Sequence, residues 1–144
     1  MPTPFESATL LIRLYELRRE PTMREARTWF AREFNPSTVD EAIQVLTGPN
    51  SGHFRMVTSY WEMAASFVLN GAIDEQMFND ANGEQVGVFG LMEPVLTDYR
   101  TRIGNPKYLS QLEQVVMRRP GAKEQIAAMR EWFRARAAAA ATKS

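Results

Sequence analysis

The sequence contains no cysteine and only one histidine among 144 residues. Without thiols there is no disulfide framework, no thiolate metal site and no cysteine nucleophile. With His53 as the sole imidazole, a zinc site would need carboxylates alone, an unusual donor set for that metal. A glycine-rich phosphate loop, a nucleophile elbow and a dinucleotide fingerprint are also missing. No stretch carries a convincing strand signal. Long hydrophobic runs are absent too: the least polar stretch, residues 63–73, is interrupted by Ser66 and Asn70, and falls short of the ~20 apolar residues a membrane span needs. The first twelve residues lack the basic start, apolar core and small-residue cleavage site of a signal peptide. These absences lead to the expectation of a soluble, cytoplasmic protein with no membrane span. They also point to a non-enzyme with no cofactor, no metal site and no catalytic residue.

What is present reads as an all-α protein. Hydrophobic residues make up 44% and charged residues 24%, an ordinary globular balance. The length fits one domain, residues 1–144, with a sizeable core. The net charge is zero but unevenly spread. Residues 1–34 hold six arginines and five glutamates, residues 35–100 hold two arginines against nine acids, and residues 101–144 hold nine basic groups against three acids. The expectation is that basic terminal helices pack across an acidic middle. The sharper alternative is that the basic C-terminal segment attracts an acidic partner or nucleic acid.

The organising stretch is His53–Asn70. Phe54, Val57, Trp61, Ala64 and Val68 recur at helical spacing, with Met56, Tyr60, Met63 and Phe67 to one side and a narrow polar seam at Arg55, Ser59, Glu62, Ser66 and Asn70. A helix apolar over most of its circumference belongs inside a bundle. Around it the punctuation predicts the other helices. Thr3-Pro4-Phe5-Glu6 and Thr22-Met23-Arg24-Glu25 read as capping boxes. The first helix carries Leu10, Leu14 and Leu17 on one stripe and Phe5, Ala8, Ile12 and Tyr15 on another, which predicts that it is well buried. Ser37 or Thr38 caps a third helix that Gly48 stops, and Asp74 opens a short one. A long helix follows with Pro94 inside it, so a kink near Gly90 or a break is expected. Gly87 and Gly90 cost roughly 1 kcal/mol each relative to alanine, compensated by the close approach of another helix, expected to be the central one. Asn105-Pro106 restarts the chain. The last helix runs into Ala137–Ala141, where a frayed tail over 137–144 is expected. The sum is seven or eight helices around the central one.

Candidate chemistry is thin. Asn79–Glu84 alternates acids and amides before Gly83, but in a calcium loop the first and twelfth ligands would be Phe78 and Phe89, so it is a turn. Glu62 lies midway along the central helix, and burial would make it costly to leave unpaired. Its expected partner is Arg100, in a structural ion pair. Trp29 and Trp132 flank apolar stripes and are candidate interface anchors. Lys123, Arg130, Arg134 and Arg136 near Trp132 give a weak nucleic-acid signal, because Glu124 and Glu131 share that helix. Met56, Met63 and Met92 could line a pocket for a small apolar ligand or lipid.

Tyr60-Trp61-Glu62, Gly71-Ala72-Ile73-Asp74 through Phe78, and Met92-Glu93-Pro94 through Tyr99-Arg100 carry a resemblance. Over about residues 54–102 the sequence resembles an uncharacterised bacterial all-helical domain family of unknown function. The resemblance implies the helical fold and brings no activity, cofactor or catalytic residue. The functional expectation is therefore a helical protein-interaction module, self-associating as a homo-oligomer or meeting a protein partner. Apolar-ligand binding and nucleic-acid binding are the alternatives.

Overall fold

Local capping side chains set four of the eight helix starts in the computed structural model, which describes residues 1–142. Helix α1, Pro4–Arg18, opens with a complete capping box: Thr3 Oγ1 accepts from the Glu6 amide at 3.1 Å, and the Thr3 amide donates to the Glu6 carboxylate at 3.0 Å. Helix α2, Pro21–Glu33, corrects the expected second box. Proline fits the first helical position because its fixed φ and missing N–H suit it, so Pro21 starts the helix and Thr22 falls inside the first turn. Glu20 is the cap instead, accepting from the Met23 amide at 3.0 Å. Thr38 caps α3, Val39–Thr47, and Gly48 closes it. Helix α4, Ser51–Leu69, is the central one, and Asp74 caps α5, Glu75–Ala81. Helices α6, Glu84–Ile103, α7, Ser110–Met117, and α8, Ala122–Thr142, complete the chain. The eight helices form an all-α bundle, with no β-strand among the described residues.

Helix α4 sits between α2 and α7, with α3 across one end. Phe54, Val57, Trp61, Ala64 and Val68 are all buried, as the periodicity requires. Aromatic rings bind α2 to α4: Phe30 stacks on Phe34 at 4.6 Å, and Phe34 meets Phe54 at 5.2 Å. Helix α6 packs on α3, α7 and α8, and α8 returns to lie on α2 as well.

Pro94 does not break α6: the helix is continuous over twenty residues. Proline has no N–H to give the carbonyl four residues back, which is that of Gly90. Arg130 of α8 supplies the missing donor, its Nε reaching the Gly90 oxygen at 2.7 Å while the same guanidinium pairs with Glu93. The close approach at the two glycines therefore belongs to α8, not to the central helix. A Cβ on Gly87 would overlap the Phe133 ring, and one on Gly90 would lie 3.2 Å from the Ile126 carbonyl oxygen.

Two further expectations change. Helix α1 is buried on one side only, through Ser7 and Leu14, because it lies at the edge of the bundle against α5 and α2. Its second stripe faces outward: Phe5 is 80%, Ile12 60% and Tyr15 50% exposed. At the other end, residues 137–142 continue α8 as helix, and residues 143 and 144 of the expected tail lie outside the described residues.

Part of the uneven charge is absorbed within the fold. Arg18 and Arg27 from the first segment meet Glu84, while Arg102, Arg118 and Arg130 from the last meet Asp40, Glu75 and Glu93. These pairs are mostly exposed or half-exposed, where each contributes about 0–1 kcal/mol. They orient the terminal helices on the acidic middle more than they stabilise it.

Candidate functional site

Glu62 and Arg100 do not pair, and each serves a different part of the same corner. Helix α7 starts after Leu109, which holds a left-handed φ of 57° and offers no capping side chain. Exposed amides in a first helical turn need acceptors. Glu62, reaching across from α4, accepts from the Leu112 amide at 2.8 Å and the Gln111 amide at 3.3 Å. A carboxylate there also faces the positive end of the helix dipole. Arg100 instead donates to the Tyr108 carbonyl at 2.7 Å and pairs with Glu113 at 3.0 Å. The expected ion pair is thus replaced by a tertiary cap and a separate latch. Both are structural.

The two candidate tryptophans also part ways. Trp29 is only 8% exposed and packs against Phe30, Phe34 and His53, so it is core and not an interface anchor. Trp132 is 50% exposed. Its ring touches Phe133 on one side and carries the Arg136 guanidinium 4.7 Å from its centroid, the geometry of a cation–π contact.

Trp132 stands at the edge of a cleft of about 400 Å³ between α2 and α8. Ala31, Met129 and Phe133 supply the apolar lining, and Arg24, Arg27, Arg32 and Arg136 the charge. Glu84 is the only acid in the lining, and Arg27 occupies it with bonds of 2.8 to 3.1 Å. Arg24 and Arg32 are exposed and, among the described residues, their side chains make no ion pair or hydrogen bond. The cleft therefore combines a positive rim, an aromatic platform and an apolar floor. Helix register puts them together: Arg24, Thr28, Ala31 and Arg32 recur along one face of α2, while Met129, Trp132, Phe133 and Arg136 recur on α8.

The other sequence candidates disperse. Arg130 is held by Gly90 and Glu93, and Arg134 donates to Asn35 at 3.0 Å, so the basic C-terminal helix does not present its arginines as one free face. Met92 is fully buried, Met56 half-buried and Met63 exposed. His53 is half-buried beside Trp29, with ring centroids 6.2 Å apart. Among the described residues no group of three or more His, Cys, Asp or Glu could hold a metal, and no helix is long and apolar enough to cross a membrane. Sequence reasoning missed Arg24 and Arg32. Their signal was their shared register with Ala31 on the outer side of α2, which becomes meaningful only once α8 lies beside it.

A family model described as a domain of unknown function (DUF4760) matches residues 4–118, which takes in α1 to α7 and stops short of α8. No curated protein and no solved structure matches the chain.

Proposed function

The chain belongs to the DUF4760 family of domains of unknown function, and we propose that it is a non-enzymatic protein-interaction module that docks an acidic segment of a partner protein in the cleft between α2 and α8. The observation that carries this reading is the surplus of positive charge there. Arg24 and Arg32 have no partner within the described chain, Arg136 has only the Trp132 ring, and all three border one apolar-floored cleft. Guanidinium groups bind carboxylates through paired N–H donors, and Trp132 offers a flat surface for an aliphatic or aromatic side chain between the acids. The reading includes the cytoplasmic setting and the bacterial origin expected from the sequence.

The test is fluorescence anisotropy with a labelled decapeptide of alternating glutamate and leucine, against the same peptide with lysine for glutamate. The glutamate peptide is expected to bind more tightly. Its affinity should fall with salt, and drop about tenfold or more in the Arg24→Ala, Arg32→Ala, Arg136→Ala triple variant. Equal binding of both peptides, or an unchanged triple variant, refutes the reading. A single-stranded oligonucleotide that outcompetes the peptide would transfer the cleft to nucleic acid.

A further inference from the structure

Helix α8 is the longest of the eight, twenty-one residues, yet Ala122, Ile126 and Phe133 are its only buried residues. Helix α6, one residue shorter, buries eleven. A helix with so few buried side chains belongs to the part of a fold that opens at least cost. What holds α8 is a single stripe. Ile126 lies against Gly90, Phe133 fills the space that a Cβ on Gly87 would need, and Arg130 serves the Gly90 carbonyl and Glu93. One turn on, Arg134 donates to Asn35 at 3.0 Å. We infer that the face of α6 around Gly87 and Gly90 is a helix-docking groove, and that α8 is its exchangeable occupant, swinging out as one unit about Gly121.

The joint is made for rotation. Residues 118–121 connect α7 to α8, and the match to the family ends at residue 118. Pro120 has a fixed φ and no N–H, which keeps the two helices from fusing. Gly121 beside it holds a left-handed φ of 66°, a conformation that glycine enters and leaves freely. The ties near the joint do not cross it. Arg118 is bound to Glu75 of α5 at 3.0 Å, while Arg119 Nε donates to Gln125 of α8 at 3.0 Å. Arg119 Nη1 is buried with no partner among the described residues, a cost of the closed joint that opening relieves.

The charges allow release. Lys123, Glu124 and Glu131 are exposed. Glu93 is 41% exposed and the bond from Arg134 to Asn35 is exposed as well, so opening strands no charge in the core. It uncovers Ile126, Phe133 and the notch they fill, the complementary halves of a helix-in-groove contact. It also parts Trp132 and Arg136 from Arg24 and Arg32, so the cleft between α2 and α8 exists only while α8 is docked. The swing itself does not depend on what that cleft binds.

Amide exchange of the full chain, read residue by residue by NMR, tests the swing. Residues 126–134 should share one opening, and exchange at least about tenfold faster than residues 57–65 of α4. Gly121→Ala, which strains the closed joint, should quicken the first set several-fold and leave the second unchanged. A fluorescent peptide of residues 122–142 tests the groove. It should bind the Gly121→Ala chain more tightly than the wild type, because the free groove is more populated, and the peptide carrying Phe133→Ala should not bind. Exchange of residues 126–134 only together with α4 overturns the inference, as does protection that falls off residue by residue towards Thr142. Exchange unmoved by Gly121→Ala, or no difference between the two peptides, overturns it too.

Discussion

Arg130 donates to the carbonyl of Gly90 at 2.7 Å, completing from α8 a hydrogen bond that Pro94 deletes from α6. The pair makes a sequence irregularity in one helix the anchor point of another. Arg130→Ala should destabilise the protein by about 1–3 kcal/mol, the range for a half-buried charged donor whose acceptor is then left bare. In a Pro94→Ala background, where residue 94 regains its N–H, the same substitution should cost less. Urea unfolding of the four proteins in this cycle measures the coupling. Full additivity would mean that Arg130 does not stand in for the deleted bond.

Gly87 is expected to tolerate no side chain. A Cβ there meets the Phe133 ring, so Gly87→Ala should cost about 1–3 kcal/mol through overpacking, despite alanine's better helix propensity. Phe133→Leu in the same chain should restore part of the loss. By contrast Gly52, in the first turn of α4 with nothing within 4 Å of a Cβ, should accept alanine with no loss. Thermal melts of the three variants distinguish packing from propensity.

Removing the tertiary cap should loosen one helix before it unfolds the rest. Glu62→Ala leaves the Gln111 and Leu112 amides without their acceptor, and capping losses are typically about 1 kcal/mol. Hydrogen exchange should quicken first at residues 110–114. Glu62→Gln keeps an acceptor oxygen but not the charge, and should fall between the wild type and the alanine variant.

Alkaline pH should weaken the fold through Tyr60. Its hydroxyl donates to the Leu14 carbonyl at 2.7 Å, and burial pushes its pKa up to about 12. An unfolded tyrosine ionises near 10, so the neutral form is favoured by folding. The stability this contributes is fully present below about pH 10 and lost as pH rises through about 12. Tyr60→Phe should cost about 1 kcal/mol at neutral pH for the lost bond, and should flatten part of the decline above pH 10. Tyr99 and Tyr108, also raised by burial, account for the remainder. Denaturant unfolding at pH 8 and pH 11 makes the comparison.

Most features governed by neighbours in sequence are legible in it, the cap of α2 excepted, where Pro21 shifts the start so that Glu20 and not Thr22 accepts the first amide. Thr3 and Glu6, Thr38, Gly48 and Asp74 act through atoms a few residues away, and their placement followed from composition. The apolar circumference of α4 was equally plain. Whatever depended on which helix lies beside which was not. Glu62 looked to Arg100 because opposite charges are the obvious remedy for a half-buried acid, whereas bare amides at the start of α7 leave no mark in the sequence. Trp29 and Trp132 have similar flanks, but the start of α4, with His53, lies over Trp29 and makes it core, while Trp132 stands at the rim of the cleft between α2 and α8. Of the candidate site, Trp132 and Arg136 were singled out in advance, while Arg24 and Arg32 became visible only with the opposite wall in place. The stripe of Phe5, Ala8, Ile12 and Tyr15 reads as core in the sequence yet is largely exposed, since periodicity identifies an apolar face without saying what covers it.

The order in which a ribosome releases these helices gives the α6–α8 contact a kinetic meaning. Domains assemble from the N-terminal side during synthesis. Helix α6 emerges well before Arg130, Phe133 and Ile126 can reach it. Until α8 is made, its two-glycine notch lies open and the Gly90 oxygen is served only by water. Helix α8 must then bridge back to α2 across about a hundred residues of chain, a long closure that slows folding. Helix α8 thus joins two helices, α6 and α2, that leave the ribosome well before it.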